Sequence, residues 1–424
     1  MNFDESFDYL NNFSNYEKKA HLLKPVFSLE GIERLLAKIG RPEKAYPSIH
    51  VAGTVGKGSV CHITESVLRA AGRRTGLYSS PHFIDVRERI KVAGRMISKT
   101  AFTDAVARLE KIVGANYDDL TYFEMLTALA FDVFAREGVG TAVIETGLGG
   151  RLDATNTVPP YICAITRLGW DHVKVLGPRL CDIAGEKAGI IKPGATVVTA
   201  PQHRSAMRVL ERTAEEKGAA LRVADVRGVK HLGHEKGGER FRFPFRGERG
   251  LEAVLPLAGG FQRENLAVAL AILEEANERG IGIDRDQLLK GISGVSFAGR
   301  MEWVETDVIS APLLLDGAHN ATAARALAGA LGGPGGNGES GKIVFVIGMM
   351  KDKDANATMK ELAAAGDTAV VFGMPYDRAV PGRELAAIAE KHFKKVQRAD
   401  TSEAALKTAG ALAGKDGTVC VTGS

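Results

Sequence analysis

A short apolar segment that breaks into a glycine-rich loop is the feature that most constrains the fold. Residues 48–52 (Ser-Ile-His-Val-Ala) have the length and composition of a buried strand, and the loop Gly53-Thr54-Val55-Gly56-Lys57-Gly58-Ser59 follows at once. A helical pattern then runs from Ser59 to Ala71, and residues 75–78 predict another strand. Strand, glycine loop, helix and strand in this order predict the opening of an α/β domain with a parallel sheet.

The glycine loop has the composition of a phosphate-binding turn. Backbone N–H groups around glycines can surround a polyphosphate, the positive end of the following helix favours it, and Lys57 adds a mobile charge. Position 51 is Val, so the loop departs from the G-x-x-x-x-G-K-[ST] spacing and fits the shorter G-T-x-G-K-[GT]-[ST] form. The alternative is a tight strand-to-helix turn without a ligand, for which a lysine between two glycines is an unusual choice.

Strand and helix patterns alternate along the rest of the chain. We predict strands at 140–145, 161–165 and 196–199, helices at 121–136, 204–217 and through 265–270, and a β-hairpin at 240–257. Further on, strands at 312–315, 343–347, 368–372 and 418–421 alternate with helices near 321–330, 355–364, 382–392 and 402–413, around a glycine-rich loop at 332–341. We therefore expect a P-loop domain with a parallel sheet over residues 1–297 and a smaller doubly wound, Rossmann-like domain over residues 298–424.

Composition and charge exclude several classes of protein. With 45% hydrophobic and 25% charged residues, the chain has the balance of a globular enzyme, and a net charge of +4 gives no argument for nucleic-acid binding. No segment predicts an export signal or a membrane span. The cysteines at 61, 163, 181 and 420 are far apart, which favours reduced thiols over disulfides or a zinc site. We expect a cytoplasmic monomer that acts on small molecules.

Two further clusters of polar residues follow predicted strands. Glu145 ends one strand and starts the segment 145–156, and ligands of open α/β sheets bind beyond the carboxyl ends of strands. A carboxylate there would face the phosphate loop and could hold Mg²⁺, although a solvated acid on a surface turn is the alternative. Asp171 and His172 follow the strand at 161–165, and Lys187 lies shortly after them. A single residue of any of these types usually has a structural role or is solvated. Because all three are expected near one edge of the sheet, together they indicate a site.

These segments, taken in order, resemble the Mur-ligase superfamily and, within it, the folylpolyglutamate synthase/dihydrofolate synthase family. The resemblance covers nearly the whole chain and rests on the segments 79–82, 120–124, 145–156, 186–190, Gln262 with Asn265, Gly299-Arg300, 316–320 and 351–354. One departure is Val55, where many relatives carry Asn. Because the loop binds phosphate mainly through backbone N–H groups, we expect little loss from this change.

The resemblance implies a role for each matching position. The ATP contacts would be Thr54, Val55, Gly56, Lys57, Gly58, Ser59, Asn265, Arg300 and Asp316. Ser80 and Glu145 would bind one Mg²⁺ and His172 a second. The pterin site would be lined by Thr121, Tyr122, Phe123, Leu152, Asp153 and Ala154.

Two positions carry alternatives. Lys187 matches a lysine that the family carries as an N-carbamate, with a salt bridge to Glu186 or Asp171 as the other interpretation. His319 would contact phosphate or the incoming glutamate, or else cap the helix at 321–330.

The implied reaction joins an amino acid to a carboxylate. Transfer of the γ-phosphoryl group from ATP would form an acyl phosphate, and the amine of L-glutamate would then displace phosphate to form an amide. The acid would be dihydropteroate, a folate, or both, and we favour both because the segment 120–124 is similar to that of bifunctional bacterial enzymes. The alternatives are another Mur-type ligase, such as one that builds cell-wall peptide, and a nucleotide-binding module without catalysis.

Overall fold

The computed structural model describes residues 1–15, 28–114, 120–235, 238–257, 259–297, 299, 301–332 and 342–423. The helices are α1 (Phe3–Asn11), α2 (Glu30–Lys38), α3 (Lys57–Ala70), α4 (Lys99–Val113), α5 (Tyr122–Arg136), α6 (Val173–Leu176), α7 (Leu180–Ala188), α8 (Arg204–Glu216), α9 (Gln262–Glu278), α10 (Arg285–Ser293), α11 (Ala321–Ala330), α12 (Ala355–Leu362), α13 (Gly382–Ala389) and α14 (Ser402–Ala413). Short 3₁₀ turns span Pro42–Lys44, Val86–Arg89 and Ala154–Thr157.

The strands are β1 (Ser48–Ala52), β2 (Thr75–Tyr78), β3 (Ile90–Val92), β4 (Arg95–Met96), β5 (Thr141–Glu145), β6 (Ile162–Ile165), β7 (Thr196–Thr199), β8 (Ala220–Val223), β9 (Lys230–Glu235), β10 (Gly238–Phe245), β11 (Glu248–Leu255), β12 (Glu302–Val304), β13 (Leu313–Asp316), β14 (Ile343–Gly348), β15 (Thr368–Phe372), β16 (Lys395–Ala399) and β17 (Thr418–Gly423). They form sheets of eight, three and six strands.

The eight-stranded sheet has the order β4-β3-β2-β5-β1-β6-β7-β8, and its strands are parallel from β2 to β8. Strand β1 lies inside it and pairs with β5 on one side and β6 on the other. Every residue of β1, β5 and β6 is buried, as their apolar sequences require in a sheet that is covered on both faces. The loops that follow these three strands therefore meet at one edge of the sheet.

The six-stranded sheet has the order β12-β13-β17-β14-β15-β16, with β12 antiparallel and the other strands parallel. Buried residues from α11, α12 and α13 cover one face, and buried residues from α14 cover the other. Helices on both faces of a largely parallel sheet make a doubly wound fold. The predicted fold class, an α/β P-loop domain and a Rossmann-like domain, is confirmed.

The predicted hairpin at 240–257 is present as β10 and β11, and β9 extends it to a three-stranded sheet. Its turn residues, Arg246 and Gly247, have φ angles of 49° and 82°. A type I′ turn, which joins two strands tightly, requires positive φ at both central positions. Glycine adopts positive φ readily, which explains why Gly247 is found there.

The described residues cluster into two compact units. The first comprises Met1–Lys230, Phe241–Val254 and Arg263–Val295, and the second comprises His231–Arg240, Leu255–Gln262 and Ser296–Ser424. The predicted boundary at 297/298 stays a prediction, and the loop predicted at 332–341 lies outside the described residues beyond Gly332. Among the described helices, none combines the length and the apolar character that a membrane crossing requires.

Candidate active site

The glycine loop connects β1 to α3, and two of its glycines have no room for a side chain. A Cβ on Gly53 would lie 1.8 Å from Thr166 Oγ1, and a Cβ on Gly56 would lie 2.1 Å from Asn265 Oδ1. Gly56 also has φ of 87° directly before the first residue of α3. These glycines let the loop fold closely between two neighbouring segments, directly before the first N–H groups of α3.

The loop is held by the segment that follows β6. The N–H groups of Thr54 and Val55 donate to the Arg167 carbonyl (3.1 and 3.2 Å), and the Thr166 hydroxyl donates to the Val55 carbonyl (2.7 Å). These two loop amides are thus occupied by protein. The N–H groups from Gly56 to Ser59 lie at the helix start, where the helical ladder supplies no acceptor, so they are the ones suited to an anion.

Asn265, a predicted ATP contact, lies in α9 and is 8% exposed, with its side chain against Gly56. The first turn of α9 is tied to the same place, because the Glu264 carboxylate accepts two hydrogen bonds from the Arg167 guanidinium. The fold therefore brings Asn265 to the phosphate loop across more than 200 residues of sequence.

Glu145 and Ser80, the predicted ligands of one Mg²⁺, are neighbours. Glu145 is the last residue of β5 and is paired in register with Val51 of β1, two residues before the loop. Its side chain is 4% exposed, and its Oε2 accepts the Ser80 N–H at 3.3 Å. Lys57 and Glu145 both act electrostatically on the Cys61 thiol inside α3, which places their charges near the same end of that helix.

His172, the predicted ligand of a second ion, is in a more open position. Its side chain is 39% exposed, and its Nε2 lies 3.8 Å from Asp171 Oδ1. Its left-handed backbone conformation (φ 49°) starts the short helix α6. Over the described ranges, no three His, Cys, Asp or Glu side chains gather as a metal site. An ion here would need oxygen atoms from elsewhere, such as ATP phosphates and water.

Lys187 is a buried lysine in α7, with 4% of its surface exposed. The pKa of its amine is lowered to about 7, mainly by burial and then by Lys57, while Asp171, Asp153 and Glu186 oppose this shift. Within the described residues Lys187 makes no ion pair, and Glu186 pairs with Arg151 at 2.8 Å. The predicted salt bridge to Glu186 or Asp171 is therefore wrong for this structure.

The first predicted pterin segment starts α5. Thr121 caps this helix, since its hydroxyl accepts the Glu124 N–H (3.2 Å) while the Glu124 carboxylate accepts the Thr121 N–H (2.7 Å). Tyr122 is 2% exposed and packs in the core. Phe123 is half-buried, and a Cβ on Gly147 would lie 2.6 Å from its Cζ. The aromatic ring thus lies against the turn after Glu145.

The second predicted pterin segment, Leu152 to Ala154, closes that turn. Asp153 is 5% exposed, and its carboxylate accepts the Leu148 N–H (2.8 Å), the Thr155 N–H (3.0 Å) and the Thr155 hydroxyl (2.5 Å). Ala154 is buried and Leu152 is half-buried. Burial raises the pKa of Asp153 even though these donors oppose it.

The remaining predicted residues belong to the second unit. Asp316 ends β13, and its two oxygens accept the N–H groups of Met301 (3.0 Å) and Ala318 (2.9 Å). His319 Nδ1 lies 2.8 Å from the Gly317 carbonyl oxygen. The alternative that His319 caps α11 is wrong, because Asn320 is the N-cap and accepts the Ala323 N–H. Arg300 lies outside the described residues.

The sequence analysis named the strand ends but assigned no role to the residues that hold them in place. Thr166, Arg167 and Glu264 fix the phosphate loop, and His50 with Thr155 holds Asp153 from inside the sheet. Only Arg167 gave a usable signal, as a charged residue two positions after an apolar strand. The others are recognised by their tertiary contacts.

Two family models match this chain. The Mur ligase middle domain matches residues 51–273, and the Mur ligase glutamate ligase domain matches residues 299–424. The first alone spans more than half of the chain and includes the phosphate loop, Glu145, Lys187 and Asn265. The fold and this site define a Mur-type ligase.

Similar proteins narrow the class. The Bacillus subtilis dihydrofolate synthase/folylpolyglutamate synthase is 34% identical over 84% of this chain and 83% of its own length. A Mycobacterium tuberculosis folylpolyglutamate synthase structure complexed with ADP has a TM-score of 0.88 at 30% identity, covering 100% of this chain and 95% of that one. The chain belongs to the folylpolyglutamate synthase/dihydrofolate synthase family.

Some relatives are longer. A probable bifunctional folylpolyglutamate synthase/dihydropteroate synthase of Halobacterium salinarum is 33% identical over 92% of this chain, which spans 46% of that protein.

Proposed function

We propose that this protein is an ATP-dependent ligase that adds L-glutamate to dihydropteroate, to the glutamate tail of folates, or to both, through an acyl phosphate. The observation that carries the proposal is the group of residues around the phosphate loop. Glu145 lies beside Val51 of β1, the charge of Lys57 at the start of α3 acts on the buried Lys187, and Asn265 lies against Gly56. Similarity to the Bacillus subtilis enzyme supports the choice of substrates.

Each step of the proposed reaction has residues suited to it. The N–H groups at the start of α3 and the Lys57 ammonium would bind the ATP phosphates and stabilise the charge on the γ-phosphoryl group as it moves to the substrate carboxylate. The carboxylate becomes a mixed anhydride whose leaving group is phosphate. The neutral amine of glutamate then attacks the carbonyl carbon, phosphate leaves, and the amine loses a proton. His319 is proposed to contact phosphate or glutamate.

Mg²⁺ fits the oxygen donors at the end of β5. A buried carboxylate beside a serine suits a metal that takes one or two carboxylates and completes its shell with phosphate and water oxygens. We propose that Ser80 and Glu145 hold one ion and that His172 contributes to a second. The ions would neutralise phosphate charge during transfer.

The pterin end of the substrate is proposed to lie beside Phe123 and the turn formed by residues 147–154, which pack against each other. Phe123 offers a half-buried aromatic face for stacking, and Leu152 adds apolar surface. Thr121, Tyr122, Asp153 and Ala154 would shape this wall, because each is capped, buried or hydrogen-bonded in place.

The remaining predictions have partial support. Free cysteines, three of them buried, agree with a reduced, cytoplasmic protein. The two compact units and the match of a separate family model to residues 299–424 favour a domain boundary near residue 298. A monomer stays a proposal, and sedimentation equilibrium of the purified chain would test it.

The decisive experiment measures ADP release in the presence of L-glutamate with dihydropteroate or tetrahydrofolate. We expect ADP release that needs both glutamate and a pterin acid, with mass spectrometry showing one added glutamate. Release with muramyl-peptide acids instead would favour the cell-wall type of Mur ligase. Tight ATP binding without ADP release under any acid would favour a non-catalytic module.

A further inference from the structure

A chain of buried hydrogen bonds leads from the central strand to the turn next to Phe123. His50 lies in β1 and is fully buried, and its Nε2 is 2.8 Å from Thr155 Oγ1. The Thr155 hydroxyl is 2.5 Å from Asp153 Oδ1, and Asp153 Oδ2 accepts the Leu148 N–H at 2.8 Å. The chain therefore runs from imidazole to hydroxyl, carboxylate and backbone amide.

The donor and acceptor properties of His50, Thr155 and Asp153 determine on which atom each proton of these hydrogen bonds lies. A carboxylate only accepts, so the single proton of the Thr155 hydroxyl lies on its bond to Asp153. The hydroxyl oxygen must then accept from His50, whose proton is on Nε2. His50 Nδ1 is buried and has no hydrogen-bond partner among the described residues, which agrees with a nitrogen that has no proton to donate. Burial lowers the pKa of His50 to about 3, so the imidazole is neutral.

The carboxylate of Asp153 is already engaged by protein. Among the described residues, three hydrogen bonds from Leu148 and Thr155 reach it, the Gly147 N–H also favours its charged form, and it has about four lone-pair positions in total. Asp153 is also 5% exposed. Its direct effect is thus on the turn, since it holds the Leu148 N–H one residue after Gly147, against which the Phe123 ring packs.

We propose that His50 and Thr155 are positioning residues for the pterin acid, acting through Asp153 on the Gly147–Leu148 turn. This inference rests on the proposed function, because it assigns that turn and Phe123 to the pterin end of the substrate. The hydrogen bonds from His50 to Thr155 and from Thr155 to Asp153, here called the relay, hold the Asp153 carboxylate in one orientation. That orientation stabilises one conformation of the turn. His50 and Thr155 are both fully buried, so they would act on the affinity for the substrate through the turn rather than by contact.

The test compares two substitutions at one position. Thr155→Val keeps the shape and removes the hydroxyl, and Thr155→Ser keeps the hydroxyl. Because a hydrogen bond to a charged group contributes about 1.5–3 kcal/mol, Thr155→Val should raise KM for the pterin acid by roughly 10- to 150-fold. KM for ATP should stay near the wild-type value, and Thr155→Ser should restore KM for the pterin acid. His50→Phe should behave like Thr155→Val.

A matched control separates positioning from loss of stability. Thr358 is a fully buried threonine in α12 whose hydroxyl donates to the Asp354 carbonyl at 2.7 Å. Thr358→Val should lower the unfolding temperature without changing KM for the pterin acid. An unchanged KM for the pterin acid in Thr155→Val, or an equal rise of KM for ATP, would overturn the proposal.

Histidine ¹⁵N resonances test the proton assignment without turnover. We expect His50 to show a protonated Nε2 and an unprotonated Nδ1, with no titration near neutral pH, and an Nδ1–H tautomer would overturn the relay. If wild-type protein turns over no pterin acid, the proposed function fails. The variants are then assayed with whichever acid supports ADP release, and a selective rise of its KM would still support the relay.

Discussion

Lys187 gives the most specific prediction, that its amine is carried as an N-carbamate in the active protein. With a pKa of about 7, roughly three-quarters of the amine is neutral at a pH of about 7.5, whereas an amine at the ordinary value of 10.5 would be about one-thousandth neutral. Only the neutral amine adds CO₂, forming an N–C bond and releasing one proton. Burial therefore makes Lys187 several hundred times more available for this reaction than an exposed lysine.

The carbamate would also relieve an electrostatic problem. Lys187 and Lys57 repel each other, and this repulsion is among the causes that lower the pKa of Lys187. Carbamate formation replaces the Lys187 amine, whose positive charge is disfavoured, with an anion. Lys57 and the proposed ions would attract that anion. Its yield should fall about tenfold per pH unit below 7, because protonation removes the reactive amine.

The assay is ¹³C NMR of metal-loaded protein in buffer with ¹³CO₂. We expect one carbamate signal that is absent in Lys187→Ala and in Lys187→Arg, which keeps a cation but cannot form the carbamate. Lys187→Ala should lose activity and regain part of it when a small carboxylic acid is added. Full activity of the wild-type protein in CO₂-free buffer, without a ¹³C signal, would refute the hypothesis.

The same pKa predicts a stability effect with a defined sign. The folded-state pKa (about 7) lies below the ordinary value (10.5), so between these pH values the unfolded chain binds one more proton and stability rises with pH. Below pH 7 Lys187 is charged in the folded protein, and its burial lowers the free energy of unfolding by the full amount, on the order of 5 kcal/mol. In metal-free buffer Lys187→Met should therefore be more stable than wild type, with the largest gain at low pH, as measured by urea unfolding.

Three further predictions concern the phosphate loop and its neighbours. Lys57→Ala should lower kcat by orders of magnitude without lowering the unfolding temperature, and near-normal activity would refute the loop assignment, with the exposed Lys217→Ala as the control. Gly56→Ala should weaken ATP binding because its Cβ would lie 2.1 Å from Asn265 Oδ1 at φ of 87°, and an unchanged affinity in isothermal titration would contradict this role of Gly56. Glu145→Gln should raise the Mg²⁺ concentration needed for half-maximal ADP release, and an unchanged requirement would remove Glu145 from the metal site.

Strands with buried apolar sequences were predictable because their sequence signal is strong and local. Residues 48–52, 75–78, 196–199 and 368–372 begin and end where predicted. The strand Lys395–Ala399 was missed because it lies at the edge of its sheet, where polar residues are tolerated and protect against edge-to-edge pairing. Helix α7 was missed because Gly185 and the charged pair Glu186-Lys187 interrupt the apolar pattern of a short helix.

The residues of the candidate site were predictable only where a polar or glycine-rich segment directly follows a strand. The glycine loop, Glu145 and Asp171-His172 share that signal, since parallel strands bring their carboxyl ends to one edge. The closeness of Asn265 to Gly56 depends on how α9 packs, which no local pattern encodes. The hydrogen bonds of His50 were equally hidden, because a histidine inside a strand has no local mark of its partner.

The two glycine-rich segments near the candidate site serve different physical purposes. Glycines at 53 and 56 let a loop fold closely and present N–H groups at the start of α3. Gly150 instead allows contact with α7, because a Cβ there would lie 2.7 Å from the Glu186 carbonyl oxygen and 3.0 Å from Lys187 Cα. The next amide, Arg151 N–H, donates to that same carbonyl at 2.7 Å. This close packing covers Lys187, and its burial is the largest cause of the lowered pKa, so the second glycine segment acts on the chemistry of an amine rather than on phosphate.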